Sequence, residues 1–462
     1  MKKRHWFISL LMGIVTALAV QGCGGGQTSI APFSVPENGY DGSEVTIRFY
    51  HTMGQPLQDV LNVYIEEFNE IYPNIHINSL AIGGYDDVRD QIKTELSIGE
   101  QANMVYCYPD HVALYNKAKS VVVLDDLINS TASDGKGGQL GLTQAQQNDF
   151  IEAYYEEGRQ FGDGKMYCLP FSKSTEVLYY NKTFFEEHEL SVPTTWDEME
   201  EVCRAIKAID PNSIPLGYDS DSNLFITLCE QLNSPYTSAT APHFLFDNAT
   251  NREFLTRLKG WYEAGYMTTK SLYGQYTSSL FTSTESVKSY MSIGSSAGAS
   301  NQVPEKINGR RAFDVGIASI PQADAENHPA VISQGPSVCI FNSKNTQEVV
   351  ASWLFLKYLV TSVDFQAEFS MTSGYVPVIK SVFENPVYEA FLDRADGGDY
   401  IAALSAKQCV AQEPYYYYSP AFVGSSTARD EVGTLLSAVI SGTKTMDKAF
   451  QDALDNCEYA AG

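Results

Sequence analysis

Acids, imidazoles and thiols do most of the chemistry that side chains can do. This chain of 462 residues carries 56 acidic residues, seven histidines and eight cysteines. Their spacing does not assemble a reactive centre. No His-Glu-x-x-His pair and no phosphate-cradling P-loop occurs. The histidines are scattered, and the cysteines never fall as Cys-x-x-Cys, so neither a zinc site nor a disulfide framework is expected. Cys107, Cys168, Cys203, Cys229, Cys339, Cys409 and Cys457 mostly lie in apolar surroundings and read as small buried hydrophobes. One bridge among them stays open as an alternative. With so many acids, close carboxylate pairs arise by chance. The expectation is a protein that binds rather than transforms, with no catalytic residue, metal or cofactor.

The eighth cysteine has another chemistry. Lys2, Lys3 and Arg4 precede the apolar run Phe7–Val20, broken only by Ser9 and Thr16. A basic start, a short apolar stretch and a small residue at the cleavage point make a bacterial export signal. The run is short of the ~20 residues that span a bilayer. Val20-Gln-Gly-Cys23 resembles a lipobox, so residues 1–22 are expected to be removed as a lipoprotein signal peptide and Cys23 to carry lipid. Residues 23–43, rich in Gly, Pro and Ser, read as a flexible tether. The product is expected outside the cell membrane, anchored to it and facing periplasm or extracellular space. Losing the three basic residues takes the formal charge from −25 to −28. So acidic a surface repels phosphate backbones, which argues against nucleic acid and anionic membrane surfaces as partners.

The elements behind any site follow from periodicity. Glu44–Tyr50 alternates as a strand, and Leu57–Tyr72 has helical spacing up to Pro73. Strands at Ile75–Leu80 and Met104–Tyr108 alternate with helices at Tyr85–Ile98 and Val112–Ala118. This βαβ order predicts an α/β fold with a parallel sheet covered on both faces, its ligand at the carboxyl ends of the strands. Further on, Lys165–Leu169 and Val177–Tyr180 read as paired strands. Trp196–Ile209 reads as a helix capped by Thr194 or Thr195, and Val349–Val360 as a strongly apolar one. At 440 mature residues, two or three domains are expected.

Pro170-Phe-Ser-Lys-Ser-Thr-Glu-Val-Leu-Tyr-Tyr-Asn-Lys182, followed by Pro193-Thr-Thr-Trp-Asp-Glu-Met199, resembles the extracellular solute-binding proteins of ABC importers. Ala351–Leu359 and Ser373-Gly-Tyr-Val-Pro-Val378 resemble two further marks of the carbohydrate-binding branch that includes maltose- and glycerol-3-phosphate-binding proteins. The resemblance implies a two-lobed periplasmic-binding-protein-like (type II) fold with a hinge and an interlobe ligand cleft. It divides the chain into a first lobe of 44–150 and 285–345 and a second lobe of 151–284 and 346–462. Hinge crossings would fall near Asn148–Tyr155, Thr282–Val287 and Ser343–Gln347. It implies a monomer that captures a sugar or oligosaccharide and delivers it to the ABC permease in the membrane. Glycerol-3-phosphate or a glycerophosphodiester is the alternative ligand. A secreted carbohydrate-active enzyme or an adhesin-like lipoprotein would be another class.

Sugar recognition needs polar groups around the ring edge and aromatic faces against its C–H surface. Family positions then point to Tyr50 and His51 at the end of the first strand, Tyr85 at the second and Asp110 at the third. Ser172, Ser174 and Thr175 match a hydroxyl-rich turn, and Ser295 and Ser296 a polar loop. Gly335 matches a loop offering backbone amides, and Tyr375 the Tyr of Gly-Tyr-x-Pro. The run Tyr415–Tyr418 offers a stacking platform, represented by Tyr416, or a strand with alternate rings buried. Phosphate binders of the family carry a basic residue after the region matching Tyr415–Ala421. None occurs between Gln408 and Arg429, so a phosphate ester is the less favoured ligand.

Overall fold

The computed structural model describes residues 32–396 and 401–462. The expected signal peptide and Cys23 lie outside the described residues. The strands, in chain order, are β1 (Val45–His51), β2 (Ile75–Ala81), β3 (Met104–Cys107), β4 (Leu169–Pro170), β5 (Ser174–Asn181) and β6 (Leu216–Tyr218). β7 (Met267–Thr269), β8 (Met291–Ser295), β9 (Val315–Ala318), β10 (Val331–Gln334), β11 (Ser337–Ile340) and β12 (Tyr416–Tyr417) follow.

They form two sheets. The first has the order β2-β1-β3-β11-β4, and the second β12-β10-β5-β8-β6-β7 with β9 also on β5. The βαβ reading holds for β1, β2 and β3, which run parallel. β11 and β4 join antiparallel, because they arrive from and leave for the other sheet. The strands read as a pair before and after Pro170 therefore part company: β4 closes the first sheet and β5 runs through the centre of the second.

Local sequence explains the helices around these sheets. Helix Gln55–Ile71 opens with Pro56 in its first turn and buries Val60, Leu61, Tyr64, Ile65 and Phe68 on one face. Helix Tyr85–Ile98 stops at Gly99, whose φ of 73° suits the left-handed cap. Thr195 caps helix Trp196–Ile209 through a capping box with Glu198. Helix Thr346–Thr361 is buried almost all round, and Trp353 at its centre donates Nε1–H to the Leu140 carbonyl at 2.8 Å.

Each sheet has its own apolar core. The first core draws on residues from Tyr40 to Leu169 and from Val338 to Cys409. The second draws on Leu178 to Ile332 and Ala428 to Cys457. This corrects the expected lobe boundaries. β8, β9 and β10, expected in the first lobe, build the second sheet, while helices Thr346–Thr361 and Val363–Ser373 pack on the first. The chain crosses at 171–173 and 335–336, and a third time through helix Ile401–Gln412, which joins the first core through Ala406 and Cys409 and packs Ile401 and Leu404 on a small cluster around Val177 and Tyr179 of the second sheet. Short apolar strands read alike whichever sheet they join, since edge pairing leaves no local trace.

Two further expectations change. The segment 33–43 is not free tether: Tyr40 is buried edge-on against Tyr72, its N–H reaches the Ser133 carbonyl at 3.0 Å, and Phe33 and Val35 pack on the same core. All seven cysteines of the described residues are buried free thiols. No described helix is long and apolar enough to cross a membrane.

Candidate functional site

Between the two cores lies a cavity of about 50 Å³. Tyr108, Pro109 and Asp110 form its first-lobe wall, at the carboxyl end of β3. Ile226, Tyr236 and Thr237 face them from the second lobe, joined by Ile332, Ser333 and Gln334 at the end of β10. Tyr418, Ser419 and Pro420 come from the segment after β12, and Ser425 and Arg429 from helix Ser425–Ile440. Glu157 closes the hinge side.

Several polar atoms here have no protein partner. Tyr236 Oη, Thr237 Oγ1 and Gln334 Nε2 are buried and unbonded. Buried polar groups normally find partners, so such atoms around one cavity mark where a polar ligand would supply them. Next to the cavity the first lobe offers an aromatic surface. Tyr85 and Tyr108 have ring centroids 4.6 Å apart, and Tyr85 Oη meets Tyr375 Oη at 3.4 Å. Burial raises the Tyr85, Tyr108 and Tyr375 phenols, so they stay neutral hydrogen-bonding groups.

The charges are held in place. Lys173, fully buried in the first crossing, pairs with Glu157 and also reaches the Gly335 carbonyl and Ser337 Oγ, each at 3.4 Å. Burial raises the Glu157 carboxyl, and the Lys173 ammonium pulls it back down. Arg429 donates to Asn223 Oδ1, and Asn223 Nδ2 donates to Glu176 Oε1 at 2.9 Å. Tyr218 Oη donates to the other oxygen of that carboxylate at 2.5 Å. Burial pushes Glu176 up to about 7. Beyond the cavity the lobes touch at Arg89, whose guanidinium lies 3.0 Å from Asp86 on its own helix and 3.3 Å from Asp430 and 3.4 Å from Ser426 Oγ across the gap. On the hinge side the Ala421 N–H reaches the Gln160 carbonyl at 2.9 Å.

Of the residues expected from sequence, Asp110 lines the cavity, and Tyr85 and Tyr375 stand in the adjoining aromatic surface. The others are spent inside the fold. His51 is fully buried, with Nε2 at 2.7 Å from Ser79 Oγ and Nδ1 accepting the Met53 N–H. Desolvation lowers it to about 4. Tyr50 is buried with its hydroxyl on Glu95. Thr175 gives its hydroxyl to the Ile332 carbonyl, and its N–H is taken by Ser296 Oγ. Ser295 caps the short helix that follows it. Ser172 is buried in the first crossing with its Oγ unbonded, and Ser174 is buried at the start of β5. Gly335, at φ 94°, lets the second crossing pass the first: a Cβ would lie 2.4 Å from the Ser172 carbonyl oxygen. Tyr416 stacks on Tyr154 and donates to the Cys409 carbonyl, so Tyr418 is the member of the run that reaches the cavity.

Sequence reasoning missed Tyr236 and Thr237 on a loop, Gln334 at the end of β10 and Arg429 near a helix start, none of them in a motif. It also passed over Gly294-Ser-Ser-Ala-Gly298, which has the spacing of a hydrolase nucleophile elbow. Ser296 at its centre is fully buried and bonded to the Thr175 amide, so that spacing is structural here. Arg429, the first basic residue after Gln408, lines the cavity, so the stretch without a cation ends at the cavity wall. No cluster placed to hold a metal occurs among the described residues.

Comparison with known proteins agrees with this architecture. The sn-glycerol-3-phosphate-binding periplasmic protein UgpB of Salmonella typhimurium is 23% identical over 426 residues, covering 89% of this chain and 91% of the relative. UgpB of Yersinia pseudotuberculosis is 24% identical over 426 residues, covering 89% and 90%. Among solved structures, the substrate-binding protein Lmo0181 of Listeria monocytogenes, in complex with cycloalternan, superposes with a TM-score of 0.71 at 15% identity, covering 90% of this chain and 98% of that one. UgpB of Mycobacterium tuberculosis, in complex with glycerophosphocholine, superposes with a TM-score of 0.70 at 17% identity, covering 90% and 98%. The model of the bacterial extracellular solute-binding protein family matches residues 63–392, and the chain belongs to that family.

Proposed function

We propose that this chain is the solute receptor of an ABC importer, capturing a sugar or oligosaccharide between its lobes outside the membrane and handing it to the permease. The observation that carries the ligand class is the interlobe cavity, where Tyr108, Tyr236 and Tyr418 offer aromatic faces beside unpaired hydroxyl and amide groups. Rings and polar edges are what a carbohydrate presents in return. Binding here makes and breaks no bond. Sugar ligands of solved neighbours, such as cycloalternan on Lmo0181, support the same reading.

A second reading is favoured by one residue. Arg429 puts a guanidinium at the cavity, which suits the phosphate of a glycerol phosphate or glycerophosphodiester. A thermal-shift screen against oligosaccharides, polyols and glycerophosphodiesters decides between them, because a specific ligand raises the melting temperature by mass action. A shift with neutral sugars alone supports the first reading and a shift with phosphodiesters alone the second. A flat response to every class sinks both.

Anchoring is part of the proposal. The basic start, the apolar run and Cys23 support a lipid-anchored receptor held beside its permease. Cys23→Ala should move the protein from the membrane fraction to the soluble fraction. Unchanged membrane association would remove the anchor from the proposal.

A further inference from the structure

Arg429 does not stand alone at the cavity. Its guanidinium donates to Asn223 Oδ1, and Asn223 Nδ2 donates to Glu176. One amide therefore joins the cavity's cation to a carboxylate that is 1% exposed. The amide fits both neighbours in a single orientation, its oxygen toward the donor and its nitrogen toward the acceptor. Neither Asn223 nor Glu176 is among the residues that line the cavity.

We infer that Glu176 is a positioning residue for the cleft: through Asn223 it orients Arg429 and sets the net charge this end of the cavity presents to a solute. The inference rests on the reading that this cavity binds solute. With Glu176 ionised, the relay is a neutral pair and Arg429 is partly compensated. With Glu176 protonated, Arg429 presents its full positive charge. Protonation on the oxygen facing Tyr218 leaves Oε1 free to accept from Asn223; the carboxyl O–H then donates to Tyr218 Oη, and the tyrosine proton turns away from that contact.

The surroundings place this change in the neutral range. Around Glu176 stand Tyr218 and Asp219 at the end of β6, Asn223 on the next helix and Arg429 on helix Ser425–Ile440. Ser295 is its partner across β8, and Gln412 donates to its backbone carbonyl. Desolvation is the largest influence and raises the carboxyl, Tyr218, Asn223 and Arg429 lower it, and Asp219 raises it; the net is a carboxyl pushed up to about 7. The consequence is directional. A solute carrying a fixed negative charge binds more tightly as pH falls through neutrality, and a neutral solute does not respond.

The first experiment needs no ligand. The side-chain ¹⁵N signals of Arg429, assigned by their loss in R429K, are followed from pH 5.5 to 8.5 in the wild type, E176Q and N223A. We expect a titration with a midpoint near 7 in the wild type that vanishes in E176Q and shrinks in N223A, which cuts the relay without touching the carboxylate. A flat Arg429 signal in the wild type, or an unchanged titration in E176Q, overturns the inference. If E176Q does not fold, N223A decides, and an unshifted midpoint and amplitude overturns it.

The second experiment measures affinity for glycerophosphocholine, whose single phosphodiester charge does not titrate here, and for maltotriose. Between pH 8 and pH 6 the first should bind roughly three- to tenfold more tightly in the wild type and not in E176Q, with the second unchanged. Equal pH responses of the two probes overturn the charge-setting role. Failure of both to bind at any pH counts against the solute reading for these two classes, while the Arg429 titration still decides the relay.

Discussion

At the scale of single residues, two side chains carry opposite lessons. Tyr108 sits at a strand end, its ring tilted 33° against Tyr85, and it lines the cavity. Tyr108→Ala should weaken binding of the solute found in the thermal-shift screen by about 1–3 kcal/mol, read by titration calorimetry, since a buried aromatic face contributes on that order. An unchanged dissociation constant would take Tyr108 out of the site. His51 ends the neighbouring strand yet is sealed in the core. Its folded-state value of about 4 lies below the unfolded 6.5, so folding prefers the neutral ring. Its contribution is whole above pH 6.5 and is lost as pH falls toward 4, up to about 3 kcal/mol. Urea denaturation at pH 7 and pH 4.5 should show a smaller acid loss in His51→Asn than in the wild type; equal losses would assign the acid sensitivity elsewhere.

At the scale of elements, the crossings and the interlobe contacts divide the labour. Lys173 ties the first crossing to Glu157 and to the Gly335 carbonyl of the second. Removing one partner of a buried pair strands the other charge, so Lys173→Met should cost about 3–5 kcal/mol in chemical denaturation. A loss below about 1 kcal/mol would mean that water enters the hinge. Arg89 and Asp430 meet farther out, and the Asp430 side chain is 56% exposed. Burial still raises its carboxyl against the pull of Arg89, so the contact is a weak latch. Arg89→Ala should shift small-angle scattering toward a more open form and weaken binding by at most about fivefold, with little change in melting temperature. An unchanged scattering profile would show that these two residues do not hold the lobes together. Helices and first-sheet strands were legible in sequence because each writes its own period and caps; Tyr85–Ile98 and Trp196–Ile209 match to the residue. Sheet membership was not, because β8 and β9 are equally apolar whichever core they join. The site was less legible for a related reason: of the expected residues only Asp110 lines the cavity, with Tyr85 and Tyr375 beside it. Strand ends point at the cleft, which gave Asp110 and Tyr85, but Arg429 and Tyr236 arrive through the tertiary fold.

At the scale of the whole molecule, two cores share one cavity, and most expected site residues turned out to hold those cores together. The cavity's own size then has a kinetic meaning. Pockets that enclose small ligands run from about 300 to 1,000 Å³. The enclosed space here is about 50 Å³, room for a few waters. A space of that size does not enclose a hexose, so full enclosure of a sugar requires the lobes to part first. Stopped-flow traces should therefore show an observed rate that climbs with solute concentration and then levels off at the opening rate. Uptake speed at high solute would be set by the crossings at 171–173 and 335–336 rather than by diffusion. A rate rising linearly to the highest concentration would mean that the open form already dominates before solute arrives.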